Sequence, residues 1–443
     1  MTFASLPMIL YILPVFVILT AIVPEQWKSG VLALGGLAAV WMTGGFPALI
    51  LLLLSVSETW LIIRLQPKKT EAHHRRAELW LYVGIGIQAV FLLLGRMLIS
   101  GFALIPLVIC ALQGAECMSE HANNRFRIPA LSSFFCYQCN MMRLPAGPLL
   151  NYQTAGKIAA ERSVTAVRIG QGASACIRGL FQLVCLGIPM YTMQDTMRTG
   201  AVLRSAADAT VAAVTFYFSL YYALKGTAEI GQGLALMLGY SYPDSFAAPV
   251  LADSLRDFRK RFLKPLYDWT ERVMYLDEGS ADAAGFFARM ALLLGGLGMI
   301  FGRGGTGLLW GVLTALLLTA EYIYRGKKHF VFPVSLRRLL VAAAVLLGMG
   351  MLRCRSFGEC FSYYAALFGF NGLHLSDTAA YLIRRNWLLL LLSAVGLFPV
   401  REKLHQLPQF RPFGIFYAVI KALTELLMLL WAYSELLSRY LRA

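Results

Sequence analysis

The feature that most limits what this chain can fold into is a run of apolar residues close to 20 long, repeated along most of its 443 residues. An α-helix of about 20 residues matches the roughly 30 Å hydrocarbon core of a bilayer, and helices satisfy their own backbone polar groups there. The runs lie near 5–23, 29–44, 46–65, 79–95, 98–118, 173–192, 203–224, 284–302, 305–323, 335–352, 386–400 and 413–434. They predict an all-α, polytopic transmembrane helical bundle of about 11–13 spans, with re-entrant and interfacial amphipathic helices added below. The charged fraction of 14% agrees, being well under the roughly one quarter of soluble domains. The first run has no basic leader and no small-x-small cleavage site, so it reads as a retained span rather than a signal peptide.

A net charge of +16, from 40 Lys and Arg against 24 Asp and Glu, raises the question of nucleic acid. The basic residues fall mainly in short connections between apolar runs, as the positive-inside rule expects, and form no single soluble face with stacking aromatics. Nucleic-acid binding is excluded on that distribution. The groups Lys68, Lys69, Arg75, Arg76, then Arg256, Arg259, Lys260, Arg261, Lys264, then Arg325, Lys327, Lys328, Arg337, Arg338 all read as cytoplasmic, which puts the N-terminus outside. Arg384 and Arg385 fall on the outer side in that count, against the rule.

Eight cysteines show no pairing framework; Cys354 and Cys360 could close a small loop on an oxidising side. Cys136-Tyr-Gln-Cys139 lacks a second pair at zinc-finger spacing, so no metal site is expected. Gly302-Arg303-Gly304-Gly305 lacks the Lys-Ser/Thr and the strand of a phosphate loop and reads as a turn.

Two stretches depart from simple spans. Over 125–165, Arg143-Leu-Pro145-Ala-Gly147-Pro148 interrupts apolar sequence, and irregular backbone at membrane depth is tolerated only inside protein or beside a cavity. It reads as a re-entrant element shaping a site, or else as a surface loop. Over 246–276, Phe246, Leu251, Leu255, Phe258, Phe262, Leu266 and Trp269 recur at three to five residues among Arg and Lys, which predicts a pair of interfacial amphipathic helices. The organisation is one domain, 1–443: N-terminal spans 1–120, the re-entrant element, a core 173–325 carrying the amphipathic pair, and C-terminal spans 335–443.

Ionisable groups within spans are expensive and mark candidate sites. Arg204 with Asp208, and Lys421 with Glu425, stand four apart and suit ion pairs on one helix face. Glu58, Glu116, Glu120 and Glu321 read as interfacial carboxylates, and His73, His74, His121, His329, His374 and His405 fall in connections or at span ends, hence at surfaces or interfaces.

In motif order, the chain resembles the membrane-bound O-acyltransferases, more narrowly their bacterial branch of alginate O-acetylation and teichoic-acid D-alanylation membrane proteins. Arg143-Leu-Pro-Ala-Gly-Pro148 is similar to that family's x-x-A-G-P element. Gly226-Thr-Ala-Glu-Ile-Gly-Gln-Gly-Leu-Ala-Leu-Met-Leu-Gly-Tyr240 resembles its G-Y-S-D-M-A-I-G-L-G segment, with Glu229 where Asp is usual. Asp257-Phe-Arg-Lys-Arg-Phe262-Leu263 follows the family's first histidine motif, and Gly296-Leu-Gly-Met299-Ile, with Trp310-Gly311 behind it, follows the second. Leu263 and Met299 stand at the two histidine positions, and no histidine lies between His121 and His329.

The resemblance implies acyl transfer from a thioester donor, acyl-CoA or an acyl-carrier protein, to a glycan hydroxyl at a bacterial cytoplasmic membrane, with no bound cofactor. It implies a substrate channel at Pro145, Gly147, Pro148, Gly226, Gly296 and Trp310. It also implies a basic surface of Arg256, Arg259, Lys260 and Arg261 toward donor or headgroups, and as partners membrane lipid and an acyl-carrier protein or extracytoplasmic acyltransferase. The family's imidazole takes the acceptor's proton, which leucine and methionine cannot do. Glu229 is the surrogate base the sequence offers, because a carboxylate among apolar neighbours can exchange protons near neutrality. Three readings stand at this point: an acyltransferase, a non-catalytic scaffold or channel subunit with the same fold, and a transporter, for which the sequence shows no inverted repeat.

Overall fold

In the computed structural model of the chain the residues described are 13–68, 73–99, 101–123, 125–144, 147–199, 205–274, 282–302, 304–324, 333–399 and 414–442. All regular structure among them is helical. The first helices are α1 (Leu13–Ile22), α2 (Glu25–Leu65), α3 (His74–Leu98), α4 (Ile105–Ala122), α5 (Leu131–Gln138), α6 (Tyr152–Ala160) and α7 (Ala166–Phe181). A π-helical turn, Gln182–Gly187, joins α7 to α8 (Ile188–Thr199). Then follow α9 (Ala206–Met237), α10 (Leu255–Phe262), α11 (Lys264–Met274), α12 (Ala283–Phe301), α13 (Gly305–Tyr324) and α14 (Val334–Arg353). The last are α15 (Phe357–Leu367), α16 (Asp377–Arg385), α17 (Trp387–Val395) and α18 (Gly414–Arg442).

Among the described residues, six helices combine the length and apolarity needed to cross a bilayer: α2, α3, the continuous α7–α8 stretch Ala166–Met197, α12, α13 and α14. The polytopic helical bundle expected from the apolar runs is therefore present, with differences in its count. The runs 29–44 and 46–65 form one helix, α2, broken at Gly45, whose φ of 69° is open to glycine and strained for other residues, with Pro47 just beyond. The run 386–400 is not a span: α17 has 9 residues, and at about 1.5 Å each they cover under half of the roughly 30 Å required. It is cut short at one end by Asn386, which also ends α16, and at the other by Gly396.

The chain forms two compact units. The first comprises Met1–Leu180, Lys225–Asp244 and Met428–Ala443, and the second Phe181–Leu224 and Ser245–Leu427. In the first, α4 packs against α2 and α3, touches α5 where Cys110 meets the Gln138 carbonyl, and is buried on nearly every face. That burial corrects two sequence expectations. Glu116 is 1% exposed and His121 is 4% exposed, so neither is an interfacial residue. The His121 ring nitrogens lie 3.3 Å from the carbonyl oxygens of Phe126 and Gln66. Glu58 is likewise tied into the helix pair, its Oε2 accepting from the Gln88 amide at 2.6 Å, while Gln88 also meets Ser55 and Thr59. His73 and His374 are exposed as expected; His329 and His405 lie outside the described residues.

The second unit is organised around the α12–α13 hairpin. Gly295, Gly298 and Gly302 recur at three and four residues on α12, opposite Gly307 and Gly311 of α13. A Cβ on Gly298 would overlap the Gly307 carbonyl, and one on Gly311 would overlap the Gly295 backbone. The pair thus meets along a small-residue seam, the form of close packing available where lipid offers no hydrophobic drive between helices. Lys421 and Glu425 pair at 3.8 Å, as their spacing predicts. Arg204 lies outside the described residues; Asp208 accepts from the Ser376 amide at 3.1 Å and hydroxyl at 2.9 Å.

Candidate functional site

In the first unit the candidate residues gather on two pieces of backbone. Residues 139–150 leave the short helix α5 and, apart from the half-buried Asn140, are buried wherever described. Asn140 organises this turn: its carbonyl accepts from Arg143 at 3.0 Å and Leu144 at 3.1 Å, and its side-chain oxygen accepts from Met142 at 3.0 Å. Gly147 donates to the Arg143 carbonyl at 2.7 Å and packs so tightly that a Cβ would overlap the Arg143 Cα. The Tyr137 hydroxyl donates to the Leu150 carbonyl at 2.7 Å, and Asn151, which caps α6, also donates to Glu120 at 2.9 Å. Gly147 and Pro148 are thus part of irregular backbone enclosed by protein; Pro145 lies outside the described residues.

The second piece is the Lys225–Met237 part of α9. Its glycines are contact points for backbone. A Cβ on Gly179 of α7 would lie 2.6 Å from the Gly226 carbonyl, one on Gly172 2.5 Å from the Gly233 carbonyl, and one on Gly231 2.6 Å from the Met142 carbonyl. Gly226 therefore serves close helix packing. Glu229, on the same helix, lies 3.7 Å from Arg178 and 3.8 Å from Lys225. Where the sequence suggested a wholly apolar surround for Glu229, two cationic side chains flank it.

In the second unit α10 and α11 form the amphipathic pair that the sequence places at 246–276. Ser254 caps α10, and Glu321 at the end of α13 adds its carboxylate, accepting from the Leu255 amide at 2.9 Å and the Arg256 amide at 3.4 Å. An acidic group at a helix N-terminus satisfies free N–H groups and meets the positive end of the helix dipole. Of the four basic residues expected to face donor or headgroups, Lys260 alone is exposed. Arg256 donates to the Tyr267 hydroxyl at 3.0 Å, Arg261 pairs with Asp257 at 2.8 Å, and Arg259 lies 3.8 Å from Glu271 and 5.3 Å from the centre of the Tyr267 ring. Burial lowers the Arg259 pKa from its usual value, with Glu271 opposing the shift.

Leu263 sits at the joint between α10 and α11. Its amide is bound to the Arg259 carbonyl, and its own carbonyl accepts from Leu266 and Tyr267 at 3.1 Å each, starting the next helix. The neighbouring side chains are aromatic: Phe262 lies 5.2 Å from Phe258, 5.8 Å from Phe246 and 6.2 Å from Tyr221 between ring centres. Met299 is 37% exposed, beside the glycine seam on α12, four residues after Gly295 and three before Gly302. Gly296 is open, with nothing within 4 Å of an added Cβ, whereas Trp310 is packed against Gly298 and Gly348.

One residue that the sequence reading passed over becomes prominent. Arg143 lies within the quoted Pro-Gly motif, but nothing in its spacing separates it from the basic residues of the connections. Its burial, at 3% exposure, is visible only in the structure. A basic residue beside a Pro-Gly interruption of apolar sequence was the available signal.

No protein-family model matches the chain. It is similar to the probable alginate O-acetylase AlgI of Azotobacter vinelandii, with 24% identity over 254 residues, 56% of this chain and 50% of that protein. The probable alginate O-acetylase AlgI of Pseudomonas syringae pv. tomato is 24% identical over 253 residues, 56% and 48% of the two chains. A peptidoglycan O-acetyltransferase of Helicobacter pylori is 24% identical over 215 residues, 47% and 41%. The chain spans about half the length of the curated relatives it matches. With six helices among the described residues fit to cross a bilayer, the chain is a multi-pass membrane protein that is similar over about half its length to alginate and peptidoglycan O-acetylating proteins.

Proposed function

We propose that the chain is an O-acyltransferase-like membrane protein of a cell-surface polysaccharide acetylation pathway, resident in a bacterial cytoplasmic membrane with its N-terminus outside. The observation that carries this is its similarity to O-acetylases of alginate and peptidoglycan, together with helices fit to cross a bilayer. The donor in this reading is an acyl thioester, as acyl-CoA or on an acyl-carrier protein, and the acceptor is a glycan hydroxyl. An extracytoplasmic acyltransferase is a further partner. The family's imidazole chemistry is absent: Leu263 and Met299 hold no basic atom, and Glu229 is engaged by Arg178 and Lys225. A positioned base is worth about 10²–10⁴-fold in rate, so direct turnover is expected to be slower by that factor.

A second reading, a non-catalytic scaffold or channel subunit that keeps the fold, is favoured by the aromatic packing of Phe262 beside Leu263. The two are separated by thioester turnover with purified protein, measured against a histidine-bearing relative and a Met299→His variant. Slow turnover is expected from the unaltered chain. Turnover at the relative's rate would overturn the view that the chemistry has been lost. Deleting the chain in its host is expected to reduce O-acetyl on a surface polysaccharide, and unchanged acetylation would remove the pathway assignment itself.

A further inference from the structure

We propose that Glu58 is a proton-binding site between α2 and α3, holding its side chain as a carboxylic acid on the edge of α2 that faces lipid. This binding is independent of acyl transfer by the chain.

The carboxyl stands well inside the membrane-spanning part of both helices. Glu58 is 11 residues beyond Pro47 and 7 before Leu65, and its partner Gln88 is 14 beyond His74 and 10 before Leu98. At about 1.5 Å per residue, roughly 10 Å of helix or more separates the pair from either end. Glu58 is half-buried, while Ser55, Thr59 and Gln88 beside it are buried. Leu54, Leu61 and Leu65, at four before, three after and seven after Glu58, are all exposed, so the carboxyl lies along the apolar outer edge of α2.

Every partner the carboxyl has is neutral. Its Oε2 accepts from the Gln88 amide at 2.6 Å, with the Thr59 hydroxyl 3.5 Å away, and its Oε1 is buried with no hydrogen-bond partner. No charged side chain among the described residues acts on it. Arg64 of α2 stacks over Trp60, and Arg75, Arg76, Glu78 and Arg96 of α3 are eight or more positions from Gln88. The packed face of α4 brings Gly114 against Thr59, its carboxylates Glu116 and Glu120 acting on Cys117 and Tyr137 instead, and α5 carries no charged residue. Glu229, by contrast, has two cations. A lone carboxylate at this depth, with one oxygen lacking any donor, is costly, and taking up a proton removes the charge. The Gln88 amide also argues for a proton over a metal cation. Its nitrogen lies 3.0 Å from the Ser55 carbonyl, which can only accept, and its oxygen accepts from the Ser55 hydroxyl at 2.7 Å. That pairing fixes the amide with its N–H groups toward Glu58, an arrangement that repels a cation and leaves Oε1 to carry the proton.

The test uses the full chain in lipid nanodiscs at pH 7, treated with N,N′-dicyclohexylcarbodiimide, which enters lipid and requires an un-ionised carboxyl. The acid's proton passes to a carbodiimide nitrogen as the carboxyl oxygen bonds the central carbon, and the adduct rearranges to a stable N-acylurea with nothing lost. Peptide mass spectrometry is expected to place an adduct on Glu58 and none on the exposed Glu161, which is ionised at that pH. Infrared difference spectra against Glu58→Gln need no reagent and are expected to show the carbonyl band of an un-ionised acid. In Gln88→Leu the donor that favours the charged form is lost, so the pH of half-maximal labelling should rise by about one unit. An unmodified Glu58 or a missing acid band would each overturn the proposal, and the labelling result needs no variant to fold. An unchanged labelling profile in folded Gln88→Leu would also overturn it.

Discussion

Gly296 and Gly298 lie two residues apart on α12, and replacing each by alanine separates packing from helix propensity. Both substitutions gain about 1 kcal/mol from the better helix former. At Gly296 an added Cβ meets nothing within 4 Å, so that gain is the whole effect and the Gly296→Ala protein should be more stable by up to about 1 kcal/mol. At Gly298 the Cβ would overlap the Gly307 carbonyl and lie 3.2 Å from Cε3 of Trp310. Restoring ordinary contact means parting α12 and α13 by roughly 1 Å, and overpacking of this kind costs about 1–3 kcal/mol. The Gly298→Ala protein should therefore be less stable than Gly296→Ala by about 1–3 kcal/mol. Thermal unfolding midpoints of the two variants, in the same detergent, make the comparison. Equal rises in both midpoints would refute the close approach of the two helices.

Other outcomes follow from particular contacts. Glu229→Gln leaves Arg178 and Lys225 without their carboxylate; because the three side chains are 20–26% exposed, a loss of only about 1 kcal/mol is expected in the unfolding midpoint. Glu321→Ala removes the acceptor for two amides of α10 and should cost about 1–2 kcal/mol, with increased hydrogen exchange at Leu255 and Arg256 as the local readout. Cys354 and Cys360 are buried free thiols, and burial raises the pKa of each, so both stay protonated at pH 8 and resist maleimide in the folded protein. After denaturation both should label without reductant; a requirement for reductant would mean a disulfide instead.

The candidate site was legible in uneven parts. The re-entrant backbone around Gly147 and the amphipathic pair α10–α11 were readable because proline, glycine and the spacing of apolar residues act within a few residues of chain. The role of the glycines at 226, 231 and 233 was readable only as a capacity for close approach; the backbones they receive, at Gly179, Met142 and Gly172, come from distant sequence. The basic run 256–261 reads as an open cationic surface, yet its arginines turn to Tyr267, Glu271 and Asp257. Local spacing could suggest only the Asp257 contact, which is four residues from Arg261.

By itself the sequence determined that this chain is helical and crosses a membrane, because hydropathy sums over a window and a bilayer sets the length of that window. The resemblance sets Leu263 and Met299 at the family's histidine positions, an expectation that rests on the order of residues along the chain. The tertiary structure decided which charges are buried or countered, burying His121 and Glu116 on α4, giving Glu229 two cations, and burying Arg143. The physical reason is that a side chain's environment is set by the helices packed around it, and those partners are chosen by contacts far apart in the chain.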